Sequence, residues 1–271
     1  MKADLHVHSH YSDGADSVES VIKKAKKAGV TAISFVEHDT ISGWREQQRI
    51  AETHHIQAIP GIEISAYDFK RQRKVHILGY HFNSEALAIN RLCKGLLELR
   101  HSHSMWQMSQ IQAAGFNLDS EAVIESAKPS ATVYKQHIMQ QLTDAPYTSK
   151  EYQFLYKSLF KGKGVAAGDI EYASAADAVQ AIVSDGGLAV MAHPGQLDSY
   201  ELIPELIGSG LGGIERNHFD HSAEDHLKVE ELARQYGLVM TGGSDYHGAF
   251  GAMIEPGDIV SPGDVSSVKR L

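Results

Sequence analysis

The sequence predicts a barrel-like α/β fold with a helical insertion, and three features of the chain predict it. Short apolar stretches typical of strands alternate with helical patterns along most of the chain, as in βαβ units. Reactive polar side chains stand at the ends of these strands, where barrel enzymes place their chemistry. His8 and His38 are 30 residues apart, and His38 and Glu63 are 25 apart, which are steps of βαβ size. An open doubly wound sheet, which also binds ligands at strand ends, is the alternative.

Seven strands and five helices account for most of the chain outside the insertion. The strand cores lie at residues 3–7, 32–36, 57–64, 75–80, 188–192, 213–216 and 238–241. Helical periodicity covers residues 17–28, 41–54, 175–184, 202–209 and 224–236. Ser17 is a good N-cap for the first helix, and Gly29 ends it. We therefore expect parallel strands joined by helices.

The long step between the fourth and fifth strands predicts the insertion. His76 and His193 are 117 residues apart, far more than one βαβ unit needs. The intervening pattern is mostly helical, at residues 85–115, 120–127, 133–143 and 149–160. We expect a barrel domain made of residues 1–83 and 168–271, and an insertion of residues 84–167 that caps the barrel mouth.

Composition limits the compartment and the partners. The chain has 271 residues and a formal charge of −9, which disfavours binding to long DNA but allows a short anionic substrate at a local metal cluster. No apolar run approaches the ~20 residues that span a bilayer, so no membrane association is expected. Cys93 is the only cysteine, which excludes an internal disulfide and fits a cytoplasmic protein.

Potential metal ligands occur near the ends of the predicted strands. His6 and His8 are two residues apart on a strand and therefore project from the same face. Asp245 and His247 repeat this spacing, whereas His76, taken alone, fits a buried core histidine better. Carboxylate and imidazole ligands gathered from many strands predict a multinuclear metal site. The nine candidates are His6, His8, Asp13, His38, Glu63, His76, His193, Asp245 and His247.

Six motifs carry a resemblance to a known family. They are DLHVHSHYSDG, SFVEHDT, IPGIEIS, VHILGY, MAHPG and GSDYHG, spread over residues 4 to about 248. The chain resembles the PHP (polymerase and histidinol phosphatase) superfamily of metal-dependent phosphoesterases. It most resembles the branch with nucleoside 3′,5′-bisphosphate phosphatases and 5′-to-3′ oligoribonucleases, which also has a helical insertion between its fourth and fifth strands. The resemblance implies a distorted seven-stranded (β/α) barrel with two or three divalent metal ions.

The resemblance also implies how the ligands divide. The first metal would be held by His6, His8, Glu63 and Asp245, and the second by Glu63, His76 and His193. Glu63 would bridge these two metals. The third metal would be held by Asp13, His38 and His247. Asp39 would orient its neighbouring ligand. Manganese, iron and zinc all accept such ligands, so the sequence leaves the metal open.

The reaction and the substrate follow as hypotheses. A metal-bridging hydroxide would attack phosphorus, and His218 would assist the leaving group. Lys135, His137 and Lys163 of the insertion would bind a second phosphate, although solvated helix charge explains them equally well. The expected substrate is a nucleoside 3′,5′-bisphosphate or the 5′ end of a short RNA. Histidinol phosphate is an alternative substrate, and a non-catalytic, metal-stabilised nucleotide-binding accessory domain is an alternative function.

Overall fold

The structure, a computed structural model, describes residues 1–263, so residues 264–271 of the expected barrel domain lie outside it. Three parallel strands form one sheet, in the order β1 (Ala3–Val7), β2 (Ala32–Phe35) and β3 (Gln57–Ala58). The other strands are β4 (Gly61–Asp68), β5 (Arg73–Tyr80), β6 (Ala173–Ser174), β7 (Leu188–Met191), β8 (Leu211–Asn217) and β9 (Val239–Gly242). They form a second sheet in the order β6-β4-β5-β7-β8-β9.

Two isolated bridges join the sheets, one pairing Val7 with Tyr246 and the other pairing His38 with Glu63. Close approach of the β9 end to β1 requires a glycine, because a Cβ at Gly243 would collide with the backbone nitrogen of His6. The predicted α/β class is confirmed. Within residues 1–263 the strand ladders form two sheets rather than one continuous closed sheet.

The expectation of parallel strands is wrong at β5. This strand pairs antiparallel with both β4 and β7. Only residues 69–72 separate β4 from β5, which is too short for the crossover that a parallel pair needs. The reversal places His76 opposite Ser65, two residues beyond Glu63. His76 therefore reaches the same end of the sheet as the other ligands from the first half of its strand.

One predicted strand is two strands in the structure. The stretch 57–64 divides at Ile59 and Pro60, so that β3 extends the first sheet and β4 belongs to the second. Proline has no N–H to donate to a ladder, so a strand tends to be interrupted there.

Helices cover the strands and fill the long connection. Outside that connection they are α1 (Val18–Lys27), α2 (Trp44–Thr53), α7 (Ala175–Ser184), α8 (Ile203–Ile207) and α9 (Ala223–Tyr236). Between β5 and β6 lie α3 (Leu87–Ala113), α4 (Ser120–Ser126), α5 (Lys135–Leu142) and α6 (Lys150–Phe160). No helix of residues 1–263 is long and apolar enough to cross a membrane.

The long helix α3 belongs to two apolar cores. Its first half packs Ile89 and Cys93 into the core of the six-stranded sheet, which also contains Ile182 of α7. Its second half places Met108 and Ile111 in a separate cluster with residues of α4, α5 and α6. A single rigid helix therefore fixes the position of the inserted helices relative to the sheet.

Candidate metal centre and the cavity beside it

Glu63 lies at the middle of a ring of histidines. Its Oε1 lies 2.8 Å from Nδ1 of His76 and 3.0 Å from Nε2 of His193. Its Oε2 lies 3.2 Å from His8 Nε2, 3.3 Å from His6 Nε2 and 3.5 Å from His38 Nδ1. Burial opposes ionisation, but the neighbouring histidines hold the pKa of Glu63 well below its usual range. The ionised carboxylate thus faces imidazoles on both of its oxygens.

Asp245 closes the first ligand group. Its Oδ1 lies 3.2 Å from Nε2 of His6 and 3.3 Å from Nε2 of His8. His6, His8, Glu63 and Asp245 each offer one atom within 4.8 Å of the others. This is the set that the resemblance implies for the first metal.

The remaining candidates form overlapping groups. Asp13 lies 3.3 Å from Nε2 of His247 and 3.8 Å from Nε2 of His38. A second group with atoms in metal-binding reach contains His8, Asp13, His38 and His247, and a third contains His38, Glu63 and His76. His193 contacts the same Glu63 oxygen as His76, so all nine predicted ligands converge.

The ligand atoms fit bound divalent cations. Both ring nitrogens of His8, Nδ1 of His38 and Oδ1 of Asp13 are buried without a hydrogen-bond partner. Buried polar atoms are costly when unpaired, and folded proteins seldom leave them so. Metal ions with nitrogen and oxygen ligands would satisfy these atoms.

Two histidines have their second nitrogen fixed by a protein acceptor. His6 Nδ1 donates to Glu215 at 3.0 Å, and His247 Nδ1 donates to the backbone oxygen of Asp245 at 2.9 Å. In both rings the lone pair of Nε2 is then directed at the cluster. Such partners orient metal-binding histidines and raise their basicity.

Glu215 and Glu37 hold candidate ligands in place but are not among the residues predicted from the sequence. Glu215 also accepts a hydrogen bond from the backbone N–H of His193 at 2.8 Å, so it positions two candidate ligands. Glu37 accepts hydrogen bonds from Ser9, Ser12 and Gln47, which fixes the loop carrying Asp13. The signal for both was a carboxylate in or just after an apolar strand pattern, a costly place for an unpaired charge.

The two predicted catalytic residues have other contacts. His218 Nδ1 accepts from the backbone N–H of Asp220, so its Nε2 carries the proton and donates to Asp245 at 3.2 Å. Asp39 accepts from the backbone N–H of Ser65 at 2.8 Å and from Arg100 at 2.7 Å. The carboxylate of Asp39 thus contacts Ser65 and Arg100, and its expected role in orienting His38 stays a prediction.

Three residues at or beside the cluster have a strained backbone. Asp39, His193 and Asp245 have φ values of 58°, 22° and 51°, in the left-handed region that residues other than glycine seldom adopt. All three directly follow or lie close to a strand end, where the chain must turn sharply to direct a side chain inward. Strain of this kind is often retained at functional sites.

A cavity of about 390 Å³ separates the cluster from the inserted helices. Arg100, His103, Lys135 and Tyr156 of the inserted helices line it together with residues of the cluster. Of the predicted phosphate-binding residues, only Lys135 lines this cavity. His137 is buried and accepts from the N–H of Tyr134, which caps α5, and Lys163 is exposed to solvent away from the cavity. Gln136 enters instead and donates to Asp13 at 2.8 Å.

A family profile described as the PHP domain matches residues 4–184 of this sequence. The chain belongs to the PHP domain family. The resemblance drawn from the six motifs is therefore confirmed.

Curated relatives match nearly the whole chain. A phosphoribosyl 1,2-cyclic phosphate 1,2-diphosphodiesterase of Eggerthella lenta is 51% identical over 93% of this chain and 96% of the relative. A 3′,5′-nucleoside bisphosphate phosphatase of Chromobacterium violaceum is 30% identical over 90% of this chain and 86% of its own. A 5′-3′ exoribonuclease of Haemophilus influenzae is 27% identical over 91% and 90%. These comparisons support the predicted hydrolysis of phosphate esters.

A solved structure shows the same fold. An amidohydrolase from Chromobacterium violaceum, with bound sulfate and no metal, superposes with a TM-score of 0.85 at 26% identity. The match covers 98% of this chain and 93% of the other. The mixed α/β arrangement is thus shared with the PHP domain family.

The far wall of the cavity in this PHP protein is cationic. Arg100 and Lys135 of the inserted helices line it, and Lys74 of β5 lies at its edge, paired with Asp169. Burial, with repulsion from Lys161 and Arg100, lowers the pKa of Lys135 to about 8. Nε of Arg100 and Nε2 of His103 are buried without a hydrogen-bond partner. Cations held together in this way would be stabilised by an anion between them.

Proposed function

We propose that this chain hydrolyses phosphate esters of a small ribose phosphate, with phosphoribosyl 1,2-cyclic phosphate as the first candidate substrate. The observation that carries the proposal is the cavity, which has the ligand cluster on one side and a group of cations on the other. A molecule with two phosphoryl groups would place one against each side. The 51% identical relative from Eggerthella lenta, whose name specifies such a sugar phosphate, supports the choice.

A nucleotide substrate is the second candidate. Relatives named as a nucleoside bisphosphate phosphatase and as an exoribonuclease cover about nine tenths of the chain. A nucleoside 3′,5′-bisphosphate has two phosphoryl groups on one ribose, so it satisfies the same arrangement of charges. The 5′ end of a short RNA is the related polymeric case.

The nine clustered side chains are proposed to hold two or three divalent ions of manganese, iron or zinc. Such ions, when bound, supply Lewis acidity to a phosphoryl oxygen and a nucleophile at neutral pH. Glu63 would bridge, because its two oxygens face different histidines. Glu215 fixes His6, and His218 fixes Asp245 by donating to it, so we propose that His218 positions a ligand rather than acting as the general acid.

The cations opposite the cluster are proposed to bind the second phosphoryl group. Asp39 holds one guanidinium nitrogen of Arg100 at 2.7 Å, which keeps this side chain directed along the cavity wall. Lys135 adds charge on the same wall, whereas burial lowers the pKa of His103, so that its neutral ring adds a hydrogen-bonding group. Charge-assisted hydrogen bonds of this kind are stronger than neutral ones.

The architecture itself is part of the proposal. We propose that β1, β2, β4, β5, β7, β8 and β9 act as a distorted seven-stranded barrel, which the two bridges between the sheets support. Residues 84–167 would be the insertion that caps its mouth. The single cysteine, Cys93, fits a reducing compartment, so we propose a cytoplasmic location.

Phosphorus NMR of the purified, metal-loaded protein tests the proposed reaction. The signal of the 1,2-cyclic phosphate should be replaced by that of a monoester, because water adds across one P–O bond and opens the ring. Adenosine 3′,5′-bisphosphate and histidinol phosphate are assayed in parallel. Asp245→Asn should lower the rate at least about a hundredfold. Turnover of histidinol phosphate alone, or of none of the three, would contradict the proposal.

The pH dependence of KM tests the cationic wall. The pKa of Lys135 is lowered to about 8, so its charge is present below that pH and is lost as the pH rises through it. KM for the doubly phosphorylated substrate should therefore rise above about pH 8. In Lys135→Arg the charge persists, and the ratio of wild-type KM to variant KM should increase with pH. A ratio that does not change with pH would show that the charge of Lys135 does not contribute to substrate binding.

A further inference from the structure

A groove rich in aromatic residues adjoins the cavity. We call it the aromatic groove, and it is lined by Tyr67, Phe69, Gln72, Lys74, Asp169, Ile170, Glu171 and Tyr172. Its volume is about 330 Å³. Lys74, Asp169, Ile170 and Tyr172 line the cavity as well, so the two spaces lie next to each other.

The rings of the groove offer flat apolar faces. Tyr67 and Tyr172 are parallel to within 5°, with their centroids 6.4 Å apart. Phe69 packs edge-on against Tyr67 at 5.1 Å and yet leaves 57% of its surface exposed. An exposed phenylalanine beside two partly exposed tyrosines is a surface on which a further planar ring can stack.

The groove is held in place by polar contacts at its inner edge. The hydroxyl of Tyr172 donates to Asp169, and the ammonium of Lys74 forms an ion pair with the same carboxylate. Lys74 also lies 5.2 Å from the centroid of the Tyr172 ring. Ring orientation is therefore fixed before a ligand arrives, which lowers the entropic cost of stacking.

The charges of the groove differ from those of the cavity. Lys74 is already paired with Asp169, and Glu171 adds a second carboxylate. This balance disfavours a phosphoryl group in the groove, whereas Arg100 and Lys135 favour one in the cavity. The ligand that fits both spaces has its phosphates at one end and an uncharged planar ring at the other.

We propose that the aromatic groove binds the nucleobase of a ribose phosphate whose phosphoryl groups lie in the cavity. The inference rests on the second candidate of the proposed function, a nucleotide, because phosphoribosyl 1,2-cyclic phosphate has no base; it adds the place where that base binds. Stacking of a base on protein aromatic rings depends little on which base is present, so the groove would accept several nucleotides.

A matched pair of substrates tests the groove in the metal-loaded enzyme. Adenosine 3′,5′-bisphosphate is compared with its abasic analogue, in which hydrogen replaces the base. Phe69→Ala should raise KM for the adenosine compound roughly tenfold and leave KM for the abasic compound within about twofold. Phe69→Trp keeps a ring and should behave as wild type.

Phe154→Ala is the control variant, because Phe154 on α6 is 76% exposed and lines neither the cavity nor the groove. It should change neither KM. Equal effects of Phe69→Ala on both substrates, or no effect on either, would overturn the inference.

The outcome stays decisive if neither compound is hydrolysed, a result that would count against the nucleotide as substrate and leave phosphoribosyl 1,2-cyclic phosphate as the candidate. Equilibrium dialysis of the same two compounds then replaces the rates. Tighter binding of the adenosine compound that is lost in Phe69→Ala supports the groove, and equal binding of the two compounds overturns it.

Discussion

At the scale of single residues, the site depends on carboxylates that each serve several imidazoles. Glu63 faces five histidines, and Asp245 faces His6, His8 and His218. The position of each contact distinguishes the candidate ligands, which face the cluster, from the residues that orient those ligands from behind. Glu215 reaches His6 from the side opposite to the cluster, so it would act on a bound metal only through the ring that it orients.

Glu215→Gln tests this positioning role. The amide keeps the size of the side chain but accepts through one oxygen instead of two, so it cannot serve both His6 and the backbone of His193 as acceptor. Metal affinity, measured by titration with a metal-sensitive dye, should fall about 10-fold to 100-fold. Secondary structure by circular dichroism should be unchanged.

Glu205→Gln is a suitable control, because Glu205 pairs with Arg71 and Lys70 at the surface and lines neither the cavity nor the groove. Its metal affinity should match the wild type. If Glu215→Gln bound metal as tightly as this control, the orientation of His6 would not matter for binding.

At the scale of elements, one antiparallel strand and one long helix bring the site together. The β4–β5 hairpin delivers Glu63 and His76 from neighbouring strands, and its loop is fastened to the segment leading into α8. Arg71 of this loop contacts Asp68, Glu201 and Glu205, which occupy its charge. The helix α3 carries Arg100 and His103 from the sheet core to the cavity wall.

The first turn of α3 is capped by a residue far away in the sequence. Its own N-cap, Ala86, has no side-chain acceptor, and the carboxylate of Asp185 accepts instead from the N–H groups of Ala88 and Ile89, at 3.1 and 2.8 Å. Asp185→Ala should lower the free energy of unfolding by about 1–2 kcal/mol, as measured by urea denaturation. The loss arises because two backbone donors lose their partner.

Asp144→Ala serves as the comparison, since Asp144 is exposed. Its free energy of unfolding should stay within about 0.5 kcal/mol of the wild type. Equal stability of the two variants would mean that water caps α3 as well as Asp185 does.

At the scale of the whole molecule, the cluster links the two sheets, so metal binding and folding should be coupled. The ligand groups combine residues of β1, β4 and β5 with residues of the loops that follow β1, β2 and β9. Ions that bind only the folded chain stabilise it by mass action, by about 4 kcal/mol at a thousandfold excess over Kd.

Removal of the ions with a chelator should therefore lower Tm on the order of 10 °C, as measured by calorimetry. Addition of manganese, zinc or iron after removal of the chelator should restore it. Glu63→Gln, which would weaken the proposed bridge between ions, should show a smaller loss of Tm on chelation. Elemental analysis would establish that the chelated protein has lost its metal. If its Tm were nevertheless unchanged, metal binding and folding would not be coupled.

The sequence by itself determined the α/β class, the helical character of the long connection and the nine residues of the cluster. It could do so because strand and helix periodicities are local, and because ionisable side chains beside apolar strands are too costly to be without a function or a partner.

Only the tertiary structure decided which further residues hold these nine side chains in place. It also decided which residues line the cavity beside them. The contact of Asp39 with Arg100, the removal of His137 and Lys163 from the cavity, the reversal of β5 and the adjoining aromatic groove all depend on pairs distant in the chain. Such pairs form only when packing brings separate segments within a few ångströms, and no local pattern in the sequence records that distance.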